Sequence, residues 1–174
     1  MAILTEAIIP LETTFNNYRV QVDALDHYRS LVLSSIAPGM KSVYTGFEEM
    51  TDVEVFDAFY FYNDEAGYSS MLALLASIEA FIRIDFNKKR RKGGRFRTLY
   101  SQYGVKTSLD EILESWSHLG TTHNTWVSKY RALLPLRNWL AHGRYWNQNV
   151  GRTDYSPELV YEIGIEIFRG ILAA

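Results

Sequence analysis

The sequence predicts an all-α protein, a bundle of about five or six helices. Apolar residues recur every three or four positions over several long stretches, capping patterns precede some of these stretches, and glycine or proline follows others. The chain has 174 residues, of which 47% are hydrophobic, and this suits a single globular domain over residues 1–174. We find no internal repeat, heptad array or low-complexity tract.

The N-terminal half predicts two long helices with a shorter segment between them. Thr51 and Glu54 form a capping box before the segment VEVFDAFYFY, whose aromatic residues also suit a short strand; we interpret it as a helix. A second long helix then begins after Asn63-Asp64 and ends near Lys92. The first long helix ends before Pro38-Gly39, and its apolar positions follow helical spacing: Phe15, Tyr18, Val22, Leu25, Tyr28, Val32 and Ile36.

The C-terminal half predicts shorter helices. Residues 97–104 favour a short turn of helix, and Ser108 with Glu111 caps a helix that Gly120 ends. The last helix begins at Ser156-Pro157-Glu158, which supplies an N-cap, a first-turn proline and a first-turn acid; its apolar positions are Val160, Ile163, Ile167 and Ile171.

The helix before that one carries an arginine within its apolar pattern. It begins at Thr121 or Thr122, and Pro135 should kink it or restart it. A charge on a buried stripe is costly unless it is paired or used, so the position of Arg137 calls for a partner or a function. The stripe is formed by Trp126, Tyr130, Leu133, Arg137 and Leu140.

The same helix ends in the sequence PLRNWLAHGRYW, which contains Arg137, Asn138 and His142 in the pattern RNxxxH. An arginine and a histidine five residues apart are a weak signal alone. The signal becomes more specific with asparagine directly after the arginine, Ala141 before the histidine and Gly143 after it.

This pattern resembles the RNxxAHG form of the RxxxxH motif of the HEPN superfamily, all-α proteins that are often metal-independent endoribonucleases. The resemblance implies that Arg137 and His142 cleave RNA, that Asn138 is the polar residue following the motif arginine, and that the active site lies between two subunits of a homodimer. Many HEPN proteins are toxins paired with an antitoxin such as a minimal nucleotidyltransferase, or effectors of antiviral defence. Others have lost catalysis and bind nucleotides or a protein partner.

Elementary chemistry is consistent with this expectation. RNA carries its own nucleophile, so cleavage requires a proton taken from the 2′-hydroxyl, a phosphate held by cations and a proton given to the 5′-oxygen. Histidine suits the proton transfers and arginine suits the phosphate, so we expect no metal or other cofactor. His142 should lie at a helix C-terminus, because Gly143 follows it, and the helix dipole there favours a protonated imidazole. Asn138 shares a face with His142, so we expect it in the catalytic set, where it orients the imidazole or contacts the phosphate. Arg137 lies about 140° around the helix from His142 and reaches the same phosphate only by its length or from another chain.

Glu79 interrupts the apolar face of the second long helix, and two interpretations are open. It pairs with Arg83 one turn later, or it points at the motif helix as an auxiliary catalytic group.

The segment KKRRKGGRFR holds seven of the 18 basic residues, while the whole chain has a net charge of −2. Such a segment is a solvated helix end or a phosphate-binding patch; beside a nuclease motif we expect RNA contact. Arg144 and Tyr145 follow the motif and suit the same role, the tyrosine by stacking on unpaired bases. The basic residues of the segment are Lys88, Lys89, Arg90, Arg91, Lys92, Arg95 and Arg97.

Other classes of protein lack support in the sequence. The chain has no cysteine, which excludes disulfides, and no zinc-hydrolase, serine-hydrolase or P-loop motif. Its N-terminus lacks the pattern of a signal peptide, and its most apolar run, residues 71–82, is too short to span a bilayer. We therefore expect a soluble, cytoplasmic protein without membrane association, in which His27, His118 and His123 have structural roles.

Overall fold

Six α-helices and no β-strand are found among the residues that the computed structural model describes, which are 11–36, 44–89, 91, 94–103, 107–118, 121–143 and 155–172. The all-α prediction is confirmed. The helices are α1 (Leu11–Ser35), α2 (Asp52–Lys89), α3 (Gly94–Tyr103), α4 (Leu109–Ser117), α5 (Thr121–Ala141) and α6 (Pro157–Leu172).

Both predicted capping boxes form. The Ser108 side chain accepts from the backbone N–H of Glu111, whose carboxylate accepts from the backbone N–H of Ser108 at 2.6 Å. At the start of α2 the carboxylate of Glu54 accepts from the backbone N–H of Thr51 at 2.8 Å. These bonds satisfy amide donors that have no partner in the first helical turn, which fixes where the two helices begin.

The boundary predicted at Asn63-Asp64 is wrong, because α2 is one helix of 38 residues. The segment VEVFDAFYFY is helical, as predicted, but it continues directly into the second long helix. Asn63 and Asp64 cost only a few tenths of a kcal/mol each inside a helix, and packed residues on both sides, Phe59 and Met71, hold the backbone helical. The helix ends at Lys89, slightly earlier than predicted, and α3 begins three residues earlier than predicted.

A main hydrophobic core joins all six helices around the C-terminal two-thirds of α2. Its fully buried residues include Leu74 and Ile78 of α2, Trp116 of α4, Tyr130 of α5 and Ile167 of α6. Because these large side chains exclude water from one another, burying them supplies most of the drive to fold.

Contacts along α2 set the directions of α5 and α6. The Tyr68 ring contacts the Trp139 ring near the end of α5, with centroids 5.6 Å apart, whereas Lys89 contacts the Trp116 ring, which in turn packs on Trp126 near the start of α5. Helix α5 therefore runs antiparallel to α2. Helix α6 runs parallel to it: Phe81 stacks on Phe168, and Lys89 donates to the carbonyl of Ile171.

The N-terminal part of α2 extends past this core and packs on the C-terminal part of α1. A second cluster forms there from Val32, Phe47, Val55 and Phe59. Beyond it, Val53, Phe56 and Tyr60 share a face of α2 and are 63%, 52% and 71% exposed. Further along α2 the same face packs into the main core. These three residues therefore extend this apolar face beyond the core, where it is exposed to solvent.

None of the described helices is long and apolar enough to cross a membrane.

Candidate active site

The motif residues occupy the last turn of α5 and the residues directly after it. The backbone N–H of His142 donates to the carbonyl of Asn138 at 3.0 Å, and Gly143 follows with a φ of 80°. Glycine adopts this left-handed conformation without the steric cost that a Cβ would add, and it ends the helix there. His142 therefore lies at a helix C-terminus, as the sequence predicts, and it is exposed.

Pro135 does not restart the helix, as α5 continues from Thr121 to Ala141. Its ring is exposed, and its backbone cannot donate to the carbonyl one turn earlier. The predicted stripe is wrong at one position beyond it: Leu136 is fully buried, whereas the side chain of Arg137 is 37% exposed. The arginine thus lies at the border between the core and solvent.

Glu79 joins α2 to the motif helix. Its Oε1 accepts from Arg83 Nε at 2.9 Å, and its Oε2 accepts from Arg137 Nη2 at 3.3 Å. Glu79 therefore pairs with Arg83 and also points at the motif helix, because one carboxylate contacts both arginines; its role as an auxiliary catalytic group stays a prediction. The Glu79 side chain is 16% exposed, so the contact with Arg137 is partly shielded from water.

Asn138 also contacts Arg137. Its Oδ1 accepts from Arg137 Nη1 at 3.3 Å, so the guanidinium is held by an amide on its own helix and by a carboxylate on α2. Within the described part of the chain, the side chain of His142 makes no hydrogen bond or ion pair. The arrangement leaves this imidazole accessible to a substrate and holds the guanidinium of Arg137, five residues earlier, in place.

Tyr130 lies beneath this cluster and is completely buried. Burial raises the pKa of its hydroxyl well above the usual range; the negative charge of Glu79 adds to the effect, while Arg137 and Arg83 oppose it. The hydroxyl has no hydrogen-bond partner among the described residues. Tyr130 therefore stays neutral and forms the floor of the cluster.

Two residues of this cluster, Arg83 and Tyr130, do not stand out in the sequence. The spacing predicts Arg83 only as an alternative partner of Glu79, yet it belongs to the same cluster as Arg137. Tyr130 lies two turns before Arg137, a spacing that places both on one side of α5. That spacing is a signal in the sequence, but a tyrosine on a core stripe usually serves packing alone.

The basic segment lies toward the other end of α2 from His142. Lys88 and Lys89 end α2, while α5 runs antiparallel and carries His142 beyond Trp139, which contacts Tyr68. The 20 residues from Tyr68 to Lys88 span about 30 Å at 1.5 Å per residue. Lys88 and Lys89 therefore do not border His142 of the same chain.

The side chains of the segment differ in their surroundings. Lys88, Arg91 and Arg97 are exposed. The Lys89 ammonium lies 4.2 Å from the centroid of the Trp116 ring and donates to the Ile171 carbonyl, so internal contacts already occupy it. Four predicted RNA-binding residues lie outside the described residues: Arg90, Lys92, Arg144 and Tyr145. The side chain of Arg95 is also outside the described part of the chain.

The described residues contain no group of three or more histidines or acids that could hold a metal ion. The described residues offer a hydrogen-bonded arginine cluster and, five residues after Arg137 on the same chain, an exposed imidazole. A guanidinium can bind a phosphate, and an imidazole can transfer a proton. Comparisons of the chain with models of protein families, with curated proteins and with solved structures found no match.

Proposed function

We propose that the protein is a metal-independent endoribonuclease of HEPN type that cleaves single-stranded RNA. The observation that carries the proposal is the arrangement around Arg137, a guanidinium anchored by Glu79 and Asn138 five residues before an exposed histidine at the end of the same helix. Arginine fixed in this way presents its remaining donors to a phosphate without a further loss of side-chain freedom.

In the proposed reaction the 2′-oxygen of the RNA attacks the adjacent phosphorus. A new bond forms between them, the bond to the 5′-oxygen breaks, and the products carry a 2′,3′-cyclic phosphate and a 5′-hydroxyl. Arg137 stabilises the charge on the phosphate oxygens, and His142 transfers a proton, as an acid toward the leaving oxygen.

The reaction needs two proton transfers, one from the 2′-hydroxyl and one to the leaving oxygen, whereas each motif supplies one histidine. We therefore propose a twofold homodimer whose two motifs form one cleft. The exposed face of Val53, Phe56 and Tyr60 supports this, because apolar patches of this kind mark protein interfaces. Tyr60→Glu is expected to give a folded monomer without cleavage activity, measured by light scattering and an RNA assay; a dimeric Tyr60→Glu would exclude this face.

The resemblance to HEPN proteins also suggests a setting. We propose that the protein is a toxin restrained by an antitoxin such as a minimal nucleotidyltransferase, or an antiviral defence effector. Expression in a bacterial host is then expected to arrest growth, and His142→Ala is expected to relieve the arrest.

A second candidate function is a catalytically silent HEPN module that binds a nucleotide or a protein partner. It is favoured by the contacts of Arg137, since Glu79 and Asn138 already occupy donors that a phosphate would use. Such a module would bind its ligand without turnover.

The deciding experiment is incubation of the purified protein with single-stranded RNA in EDTA, with analysis of the product ends. His142→Ala should lower the cleavage rate about 10²- to 10⁴-fold, because it removes the group that transfers the proton. The matched control is His118→Ala, which removes another exposed histidine at a helix C-terminus, one that pairs with Glu114, and should leave the rate unchanged. Absence of cleavage, or equal rates for His142→Ala and wild type, would reject the endoribonuclease.

A further inference from the structure

The Glu79 carboxylate holds two guanidinium groups from two helices. Arg83 on α2 and Arg137 on α5 each bond to a different oxygen of it, and each does so through a single nitrogen. Neither arginine forms the bidentate pair, with two parallel hydrogen bonds, that an arginine often makes with a carboxylate. Each guanidinium therefore keeps N–H donors that the carboxylate does not use.

The exposed fractions show which side chains solvent reaches. The Glu79 side chain is 16% exposed, whereas the side chains of Arg83 and Arg137 are 36% and 37% exposed. The carboxylate is thus better shielded from water than either arginine, and a ligand in solution can reach both arginines. An arginine has five N–H donors, and the described contacts of Arg83 use only Nε and one to the Thr107 carbonyl at 3.5 Å.

The charge of the cluster also favours an anion. Two arginines and one glutamate carry a net charge of +1, because Glu79 offsets only one of the two cations. The remaining repulsion between the guanidiniums would be relieved by bound anions, and each phosphodiester of RNA carries one negative charge. Tyr130 beneath the cluster stays neutral, so it does not compete.

We infer that Arg83 and Arg137 bind two neighbouring backbone phosphates of RNA, with Glu79 as the positioning residue that holds both arginines. Arg83 binds a backbone phosphate beside the linkage that Arg137 contacts. This inference rests on the proposed function for its ligand, but it assigns a role to a residue outside the RNxxxH motif.

The test measures RNA binding apart from cleavage. A labelled single-stranded RNA with methylated 2′-hydroxyls cannot be cleaved, and its Kd is obtained from fluorescence anisotropy in EDTA for wild type and Arg83→Gln. The matched control is Arg131→Gln. Arg131 lies on α5, its side chain is 38% exposed, and it bonds to Glu114 of α4. Both variants remove one positive charge; Arg83→Gln removes the ion pair with Glu79, and Arg131→Gln removes the ion pairs with Glu114 and Asp110.

Arg83→Gln is expected to raise the Kd about tenfold, because bonds to charged groups are the stronger ones. It should also lower the salt slope of log Kd by about 0.7, the value for one phosphate contact on a single strand. Arg131→Gln should change the Kd less than about twofold. Arg83→Lys keeps the charge and should fall between Arg83→Gln and wild type, and thermal melts of all variants establish that they are folded.

Equal changes in Kd for Arg83→Gln and Arg131→Gln, or an unchanged salt slope, would overturn the inference, as would a wild type that does not bind the RNA. Inorganic phosphate should compete with the RNA for wild type more strongly than for Arg83→Gln; equal competition would count against the site.

Cleavage of unmodified RNA separates this inference from the proposed function. Binding that depends on Arg83 without any cleavage rejects the endoribonuclease and leaves the phosphate site standing. Cleavage with the same KM in Arg83→Gln and wild type rejects the site and leaves the endoribonuclease standing. If both are right, Arg83→Gln raises KM and changes kcat little, since Arg83 does not contact the reacting atoms.

Discussion

Glu79 Oε2 and Arg137 Nη2 lie 3.3 Å apart and join two helices whose contact residues are 58 positions apart in the chain. The pair places a charged group of the motif at the edge of the core, with Leu136 buried next to it. Because the same carboxylate also bonds to Arg83, a change at Glu79 affects both arginines.

Glu79→Gln is therefore expected to lower the free energy of unfolding by about 1–3 kcal/mol, because it leaves two neighbouring guanidiniums without their shared counter-charge. Urea unfolding measures the change. Glu166→Gln is the control, since Glu166 pairs with Lys129 where both side chains are about half exposed. That surface pair should contribute less than about 1 kcal/mol, and an equal loss in the two variants would contradict the argument.

A second prediction concerns pH. The hydrogen bond from Arg131 lowers the pKa of the Glu114 carboxyl, and a hydrogen bond from His118 adds to the effect. A folded-state pKa below the unfolded value means that this pair stabilises the protein above the ordinary glutamate pKa, and that its contribution is lost as the pH falls through the folded-state pKa.

Arg131→Gln should raise the pKa of Glu114 toward its ordinary value, which NMR titration of the carboxyl carbon measures. The difference in unfolding free energy between wild type and Arg131→Gln should shrink as the solution becomes acidic. A difference that grows toward low pH would contradict the assignment.

The two lysines that end α2 should separate stability from RNA binding. Lys89 contacts the Trp116 ring and the Ile171 carbonyl with a side chain only 18% exposed, whereas Lys88 is exposed. Lys89→Gln is expected to lower the free energy of unfolding by about 1 kcal/mol. Lys88→Gln should leave stability unchanged and weaken RNA binding about two- to threefold, with a smaller salt slope. If Lys89→Gln weakened RNA binding more than Lys88→Gln did, the claim that internal contacts occupy Lys89 would be wrong.

The sequence predicts local features of this fold well and contacts between distant segments poorly. Ser108 with Glu111, and Gly143 after His142, depend on backbone groups within a few residues, so their patterns determine the outcome. Asn63-Asp64 has the composition of a helix start, but a cap forms only if the backbone leaves the helix there. Packing on both sides, which the sequence does not display, keeps it helical.

In the candidate site, too, the sequence predicts the local features and not those that depend on contacts between helices. The position of His142 at a helix end follows from the residues around it. The exposure of Arg137 does not, because periodicity counted through Pro135 places it on the buried stripe, whereas the structure places Leu136 there. The direction of Glu79 was open between two partners, and only the packing of α5 against α2 shows that it takes both.

The final prediction compares two helical glycines that differ in the space around them. A Cβ at Gly170 of α6 would lie 2.6 Å from Cδ1 of Trp126, a ring that is 3% exposed and cannot move without disturbing Trp116. Gly170→Ala should therefore lower the free energy of unfolding by about 1–3 kcal/mol. A Cβ at Gly67 of α2 would make an ordinary contact of 3.9 Å with Pro157. Gly67→Ala should raise stability by about 0.5–1 kcal/mol, because alanine favours the helix over glycine. Chemical denaturation of the two variants measures both effects, and shifts of the same sign would show that α6 does not pack on Trp126 as described.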